Sequence, residues 1–221
     1  MDFDFSQLRP GPWYPSIMFD ETRAMQLVNM YLRLIYEQFP VVSIDEETED
    51  NGNLAQIYRR SWSGRFRPRD HTVSINASKF HSMVESQGRG IRFRSYLFLF
   101  ANYLVHEIGG HLFITFMNNG NHDPRAQTPP HIASELPGFS SFHRGESGQR
   151  LECLLFGGIL EADREINRDD GEIWVPYIIK REDYGENIGF RVLQRAIDDT
   201  INYSEHLMAC PQNKIALNSI M

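Results

Sequence analysis

The sequence predicts an α+β fold, in which a mainly helical domain has a small antiparallel sheet packed beside its central helix. Several segments repeat apolar residues at the three- and four-residue spacing of amphipathic helices. Shorter segments between residues 41 and 76 alternate apolar and polar residues, as strands do. The composition, with 41% apolar and 23% charged residues in a chain of 221, is typical of a globular protein rather than a disordered or fibrous one.

The first elements follow from proline positions and apolar spacing. Three prolines in residues 1–15 exclude a long helix there, so this segment is expected to be an N-terminal arm and 16–221 a single domain. A helix is expected over 18–38, because acidic residues suit its first turn and Pro40 ends it. Strands are expected over 41–45, 54–62 and 71–76, which together form the small sheet, followed by a short helix over 77–86.

The second half of the chain is expected to be mostly helical. Residues 92–117 are apolar nearly all round, which predicts a buried helix. The proline-containing segment 118–145 is long and irregular, as functional loops often are. Helices are expected over 146–167 and 188–208, and 173–179 is expected to be an edge strand because Pro176 lacks an amide hydrogen.

Charge and composition narrow the classes of partner. With 22 basic and 29 acidic residues the formal charge is −7, a poor match for nucleic acid or anionic lipid. The arginine-rich stretch 59–69 is therefore interpreted as a solvated loop or sheet edge. The apolar stretch Leu97–Val105 is too short to span a bilayer, and the first residues do not resemble a secretory signal, so a cytoplasmic location is expected. Oligomeric state, and whether Cys153 and Cys210 pair, stay open.

One motif in the central helix predicts chemistry. His106-Glu107-Ile108-Gly109-Gly110-His111 resembles the zinc-protease pattern H-E-x-x-H with one extra residue. In a regular α-helix, a five-residue step places the two imidazoles roughly 140° apart around the axis. They converge only if the turn is widened, as in a π-helical turn, and paired glycines favour such a distortion. We therefore expect a distorted turn that directs both histidines at one point.

A divalent cation is the simplest reason for this cluster in an apolar helix. Burying two imidazoles and a carboxylate without partners would cost several kcal/mol. Catalytic zinc typically has three protein ligands and one open position. The third ligand is expected in the following helix, where Glu146 is favoured and Glu152 would then orient an imidazole; the reverse assignment stays open. His143 is a rival ligand.

The same residues suggest catalytic roles. Bound zinc lowers the pKa of its water to about 7, and Glu107 would take the proton from that water as general base. A developing oxyanion needs a donor, for which His143, Tyr177, Arg144 and Arg150 are candidates. The segment 118–145 would then be a lid over the substrate.

The six-residue motif is similar to the H-E-x-x-G-H motif of dipeptidyl peptidase III, a zinc exopeptidase. This resemblance implies a zincin-like, gluzincin-type domain in which His106 and His111 bind zinc, Glu107 is the catalytic base and a downstream glutamate is the third ligand. The segment from Glu146 to Glu152 does not match that family's second motif closely. The chain is also too short for two lobes, so dipeptide release is not implied. As a whole, it looks like small fungal proteins with a His-Glu-x-x-x-His helix.

Three functional hypotheses follow. The first is a zinc-dependent hydrolase of peptide or amide bonds, acting on a peptide or small-molecule substrate. The second is a metal enzyme that is not a peptidase, such as an oxygenase, lyase, cyclase or isomerase of a biosynthetic pathway, for which Fe²⁺ is the alternative metal. The third is a binding module with a structural metal, in which His143 would close the site as a fourth ligand.

Overall fold

The computed structural model describes residues 21–46, 54–60, 64–86, 90–117, 147–167, 171–181 and 187–209. Within these ranges the chain has the expected α+β fold, mainly helical, with two three-stranded sheets. The helices are α1 (Glu21–Glu37), α2 (Ala77–Glu85), α3 (Gly90–Leu104), α4 (Phe113–Met117), α5 (Ser147–Phe156) and α6 (Gln194–Ala209), and a π-helical segment (Val105–Leu112) joins α3 to α4 without a break. The strands are β1 (Val41–Asp45), β2 (Ala55–Tyr58), β3 (Thr72–Asn76), β4 (Ile159–Asn167), β5 (Gly171–Arg181) and β6 (Asn187–Arg191). The N-terminal arm and the segment 118–145 lie outside the described residues.

The first sheet contains the three strands expected between residues 41 and 76, in the order β1-β3-β2. It is mixed rather than antiparallel, because β1 pairs with β3 in parallel and only β2 runs against β3. β3 is the buried centre of the sheet, whereas β1 is an exposed edge. A pattern of alternation predicts strands but not their relative directions, so the expectation of an antiparallel sheet was wrong for β1.

The second sheet replaces parts of two predicted helices. It is antiparallel, in the order β4-β5-β6. The helix predicted over 146–167 ends at Phe156, because Gly157 takes a left-handed φ of 70° and its amide donates to the carbonyl of Cys153 at 2.9 Å. The helix predicted over 188–208 starts only at Gln194, after β6 has paired with β5.

The strand predicted over 173–179 is present but longer, and it is central rather than at an edge. Pro176 is tolerated there because of its position in the ladder. Its carbonyl accepts a hydrogen bond from Val192 N at 2.9 Å. In an antiparallel strand the N–H and C=O of one residue point to the same side, so the missing amide hydrogen of Pro176 would have pointed towards β6. This position lies just beyond Arg191, the last β6 residue that pairs with β5. Pro176 therefore leaves the sheet without one hydrogen bond, and only at the end of the β5–β6 ladder.

The central helix, Gly90–Met117, packs into the core on several sides. Ile108, Leu112 and Phe116 are buried against α1 and the first sheet, and Phe98 and Leu99 are buried against β4 and α6. This 28-residue helix is long and apolar enough to cross a bilayer by length and composition, unlike the shorter stretch considered from sequence. In the most apolar window of the helix 44% is buried within the protein, and core helices share this composition.

Candidate metal centre

The histidine motif lies in the π-helical segment, Val105–Leu112. Phe113 N–H donates to the carbonyl of Ile108, five residues earlier, which is the bonding pattern of a widened turn. The backbone on both sides is ordinary α-helix, so the distortion is confined to the motif. The predicted widened turn is therefore confirmed.

The widened turn brings the three polar side chains of the motif together. One ligand atom each from His106, Glu107 and His111 lies within 4.8 Å of the other two. The centroids of the two imidazoles are 5.1 Å apart, and the ring planes are inclined by 63°. The histidines therefore converge, as the sequence predicted, and the group can hold a metal ion.

Glu152 of α5 fixes one of these imidazoles. Its Oε1 lies 2.6 Å from Nδ1 of His106, and its Oε2 accepts a hydrogen bond from Leu160 N at 2.9 Å. The side chain is only 5% exposed, so both carboxylate oxygens are held in a low-dielectric environment. A carboxylate on Nδ1 makes Nε2 the atom of His106 that would bind a cation, which is the usual arrangement behind metal-binding histidines.

The second imidazole is also held from α5. Ser147 Oγ lies 3.2 Å from Nδ1 of His111, and the serine is buried. One short helix thus contacts both rings at Nδ1, through Ser147 at its start and Glu152 near its middle. The Nδ1 atoms of both imidazoles therefore face side chains of α5.

Glycines make this close approach of α5 possible. A Cβ on Gly110 would lie 2.5 Å from the Cα of Gly148, and a Cβ on Gly148 would lie 2.2 Å from Nε2 of His106. A Cβ on Gly109 would lie 2.7 Å from Leu151 Cδ2. These distances are too short for any other residue at Gly110 or Gly148 unless the backbone or the His106 ring moves. The paired glycines therefore serve helix packing as well as the widened turn.

Glu107 points at the first sheet. It is 7% exposed, and its Oε2 accepts a hydrogen bond from Ile57 N at 3.1 Å. Within the described ranges β2 is an edge of its sheet, and the outward amide of Ile57 donates to the carboxylate rather than to another strand. This bond fixes the carboxylate beside the two histidines.

Two further side chains brace the widened turn. Tyr31 of α1 donates its hydroxyl hydrogen to the carbonyl of Ile108 at 2.5 Å. Burial raises the pKa of Tyr31 far above its usual value, so the hydroxyl stays protonated. Arg59 reaches the carbonyl of His111 at 3.5 Å and the hydroxyl of Thr115 at 3.1 Å. Two carbonyls of the π-helical segment thus receive side-chain donors.

A tyrosine and a glutamate that sequence reasoning missed lie beside the centre. Burial, and then the negative charges of Glu161, Glu152 and Glu107, raise the pKa of Tyr103, whose ring centroid is 6.4 Å from that of His106. Burial, and then the negative charge of Glu152, raise the pKa of Glu161. His106 lowers this pKa by a smaller amount. Tyr103 precedes His106 by one helical turn, which was a usable signal. Glu161 gave no signal, because its strand was predicted to be helix.

The structure describes some of the other site residues proposed from sequence, but not all of them. Tyr177 lies on β5 directly opposite Glu161 in the strand register, so the two share one face of the sheet. Arg150 lies on α5, one turn after the start of that helix. His143, Arg144 and Glu146 lie outside the described residues, so the favoured third ligand has no described position.

The comparisons with known proteins give no family for this chain. No protein-family model, no curated protein and no solved structure matches it. The resemblance to dipeptidyl peptidase III therefore rests on the six-residue motif alone. What the structure adds is a cluster of His106, Glu107 and His111 that can bind a metal ion.

Proposed function

We propose that this protein is a metal-dependent hydrolase of peptide or amide bonds, with zinc as the metal. The observation that supports it is the convergence of His106, Glu107 and His111 within 4.8 Å across a turn that must widen to allow it. A distorted turn costs local stability, so a role beyond packing explains its presence better than core formation does.

The residues fit a divalent cation of the zinc class. Two imidazole nitrogens with a carboxylate nearby are donors that suit zinc and ferrous iron. Glu152 on Nδ1 of His106 and Ser147 on Nδ1 of His111 are outer partners of the kind that orient metal-binding histidines. The third ligand proposed from sequence is Glu146. Glu152 would orient the imidazole of His106, whose Nδ1 it contacts.

The chemistry divides among the chain's own groups. Bound zinc would supply a water of lowered pKa and polarise the substrate carbonyl. Glu107, held by Ile57 N, would remove a proton and return it to the leaving nitrogen. Tyr103, whose raised pKa keeps it protonated, would donate a hydrogen bond to the developing oxyanion. Tyr177 and His143 are retained as further donors.

The test combines metal analysis with one conservative variant. Full-length protein purified without added metal should contain about one zinc per chain, and it should cleave members of an unbiased peptide library detected by mass spectrometry. Glu107→Gln should keep the zinc and lose activity by about 10²–10⁴-fold, because it cannot accept a proton. Glu85→Gln, on the exposed end of α2, is the matched control.

The outcomes separate the parts of the proposal. Full activity in Glu107→Gln would remove Glu107 as the base. Protein that binds neither zinc nor iron, with His106→Ala indistinguishable from the parent, would make the cluster an ordinary hydrogen-bonded core. Zinc binding without cleavage would favour the structural-metal hypothesis.

A second candidate is an iron-dependent enzyme that is not a peptidase. The proximity of Glu107 itself to both histidines favours it, since two histidines and one carboxylate form the ligand set of many ferrous oxygenases. In that case Glu107→Gln would weaken metal binding rather than leave it intact. Iron in the purified protein, with oxygen consumption, would support this candidate over the hydrolase.

A further inference from the structure

A cleft unrelated to the histidine cluster is lined by arginines. Its volume is about 540 Å³, and its lining residues are Glu37, Gln38, Arg65, Arg67, Arg69 and Asp70. None of these belongs to the group formed by His106, Glu107 and His111. The volume lies in the range of small-molecule sites in proteins.

The local chain is built so that its arginines face this cleft. Residues 65–69 alternate, with Phe66 and Pro68 buried and the three arginines exposed. Phe66 is 1% exposed and packs against Phe116 with ring centroids 5.1 Å apart. The buried residues therefore anchor the segment in the core, and the three arginines, the last of them in a 3₁₀ turn over Pro68–Asp70, all line the cleft.

These cations are not explained by the fold. Arg65, Arg67 and Arg69 make no ion pair and no side-chain hydrogen bond with the described part of the chain. Glu37 of α1, which also lines the cleft, is already paired with Arg33 at 2.9 Å. Three guanidinium groups and two carboxylates line the cavity, so its lining carries a net positive charge that attracts an anion.

We propose that this cleft binds a small molecule bearing a phosphate or diphosphate group. Guanidinium groups present fixed pairs of donors that match phosphate oxygens, and several around one cavity can hold a doubly charged group. A nucleic acid fits less well, because the chain carries a net charge of −7 and the cleft is rimmed by Glu37 and Asp70. The cationic segment thus remains solvated, as expected from sequence, but its side chains line one cavity.

Pyrophosphate is the probe for this site, measured by titration calorimetry on the full-length chain at physiological ionic strength. EDTA is present throughout, so that pyrophosphate on a bound metal does not contribute. We expect one pyrophosphate per chain, with affinity lowered about 100-fold when Arg65, Arg67 and Arg69 are all changed to glutamine. Changing Arg94, Arg191 and Arg195 to glutamine is the charge-matched control and should lower affinity less than about threefold.

A milder variant guards against loss of folding. Arg67→Lys keeps the charge but not the paired donors, so affinity should fall about tenfold while the circular dichroism spectrum is unchanged. Absence of binding at millimolar pyrophosphate, or equal loss in the control triple variant, would overturn the proposal. Tighter binding of citrate would assign a polycarboxylate instead, and length-dependent binding of single-stranded oligonucleotides would assign a nucleic-acid surface; either result contradicts it.

Discussion

At the scale of single residues, the contact between His106 and Glu152 explains most about the candidate centre. An imidazole with a buried carboxylate on Nδ1 is fixed in ring orientation and tautomer. The second oxygen of Glu152 is held by Leu160 N, at the start of β4. The orientation of the ring therefore depends on two elements that are distant from the motif in sequence.

This contact gives the first prediction. Glu152→Gln keeps the size of the side chain but removes its charge, so zinc affinity should fall about 10–100-fold. The affinity is measured by competition with a chromogenic chelator, and Glu85→Gln is the control. Complete loss of zinc would instead make Glu152 a direct ligand, reversing its assignment with Glu146, and unchanged affinity would contradict both roles.

The second prediction concerns Glu161 and pH. Burial and the charge of Glu152 raise its pKa in the folded, metal-free protein, so the folded state holds this proton more tightly than the unfolded chain. Stability should therefore fall as pH rises from below the unfolded pKa of about 4.3 through the higher folded pKa. Glu161→Gln removes that loss.

Melting temperatures measured in EDTA at several pH values test whether stability falls as the pH rises. Glu161→Gln should melt above the parent at neutral pH, and the difference should disappear at acidic pH below the unfolded pKa. A parent that is the more stable of the two at neutral pH would show that Glu161 is favourably paired when charged.

At the scale of elements, the π-helical segment acts as a one-residue insertion in an otherwise regular helix. α3 and α4 remain α-helical on either side, so the apolar faces of both can pack against the core in their usual register. Tyr31 and Arg59 supply donors to the carbonyls of Ile108 and His111. The distortion is therefore supported by neighbouring elements and not by the motif alone.

The third prediction follows from counting residues around this turn. Deleting Gly109 shortens the motif to H-E-x-x-H, in which a regular α-helix places the histidines four apart on one face. Zinc stoichiometry should therefore survive the deletion. Inserting an alanine after Gly109 should abolish it, because neither an α-helical nor a π-helical step then realigns the rings.

Metal content by mass spectrometry and helicity by circular dichroism measure both variants. The insertion is the control for general damage by a change of length, since both variants alter the helix by one residue. Loss of zinc in the deletion, with helicity intact, would show that the widened turn itself is required.

At the scale of the whole molecule, the candidate centre links most of the described fold. The π-helical segment provides the cluster, α5 holds both imidazoles, β2 holds Glu107, and α1 braces the turn. A ligand that binds this folded arrangement but not the unfolded chain stabilises the whole domain by mass action.

The fourth prediction is therefore a metal-dependent unfolding temperature. Free zinc at 100 times its dissociation constant should stabilise the protein by about 2.7 kcal/mol, and EDTA should reverse the effect. His106→Ala should melt at the same temperature with and without zinc. A parent protein whose melting does not respond to zinc or iron contradicts a metal centre.

The sequence predicted that the two histidines converge, but it did not predict the second sheet, β4-β5-β6. The spacing of His106 and His111 was sufficient, because helical geometry relates sequence separation to angle. β4 and β6 were missed, because their apolar residues continue the spacing of neighbouring helices while Gly157 and strand pairing end those helices. As a result, Glu152 was a candidate from sequence, whereas Leu160 and Glu161 were not.

By itself, the sequence determined what depends on local geometry: the helical periods, the first three strands and a widened turn over Gly109-Gly110. Only the tertiary structure decided strand direction, the second sheet and the partners of the cluster. Those features depend on which segments meet across long separations in the chain, such as Ile57 with Glu107 and His106 with Glu152. Such contacts are selected by packing and burial over the whole core, which no local pattern of residues encodes.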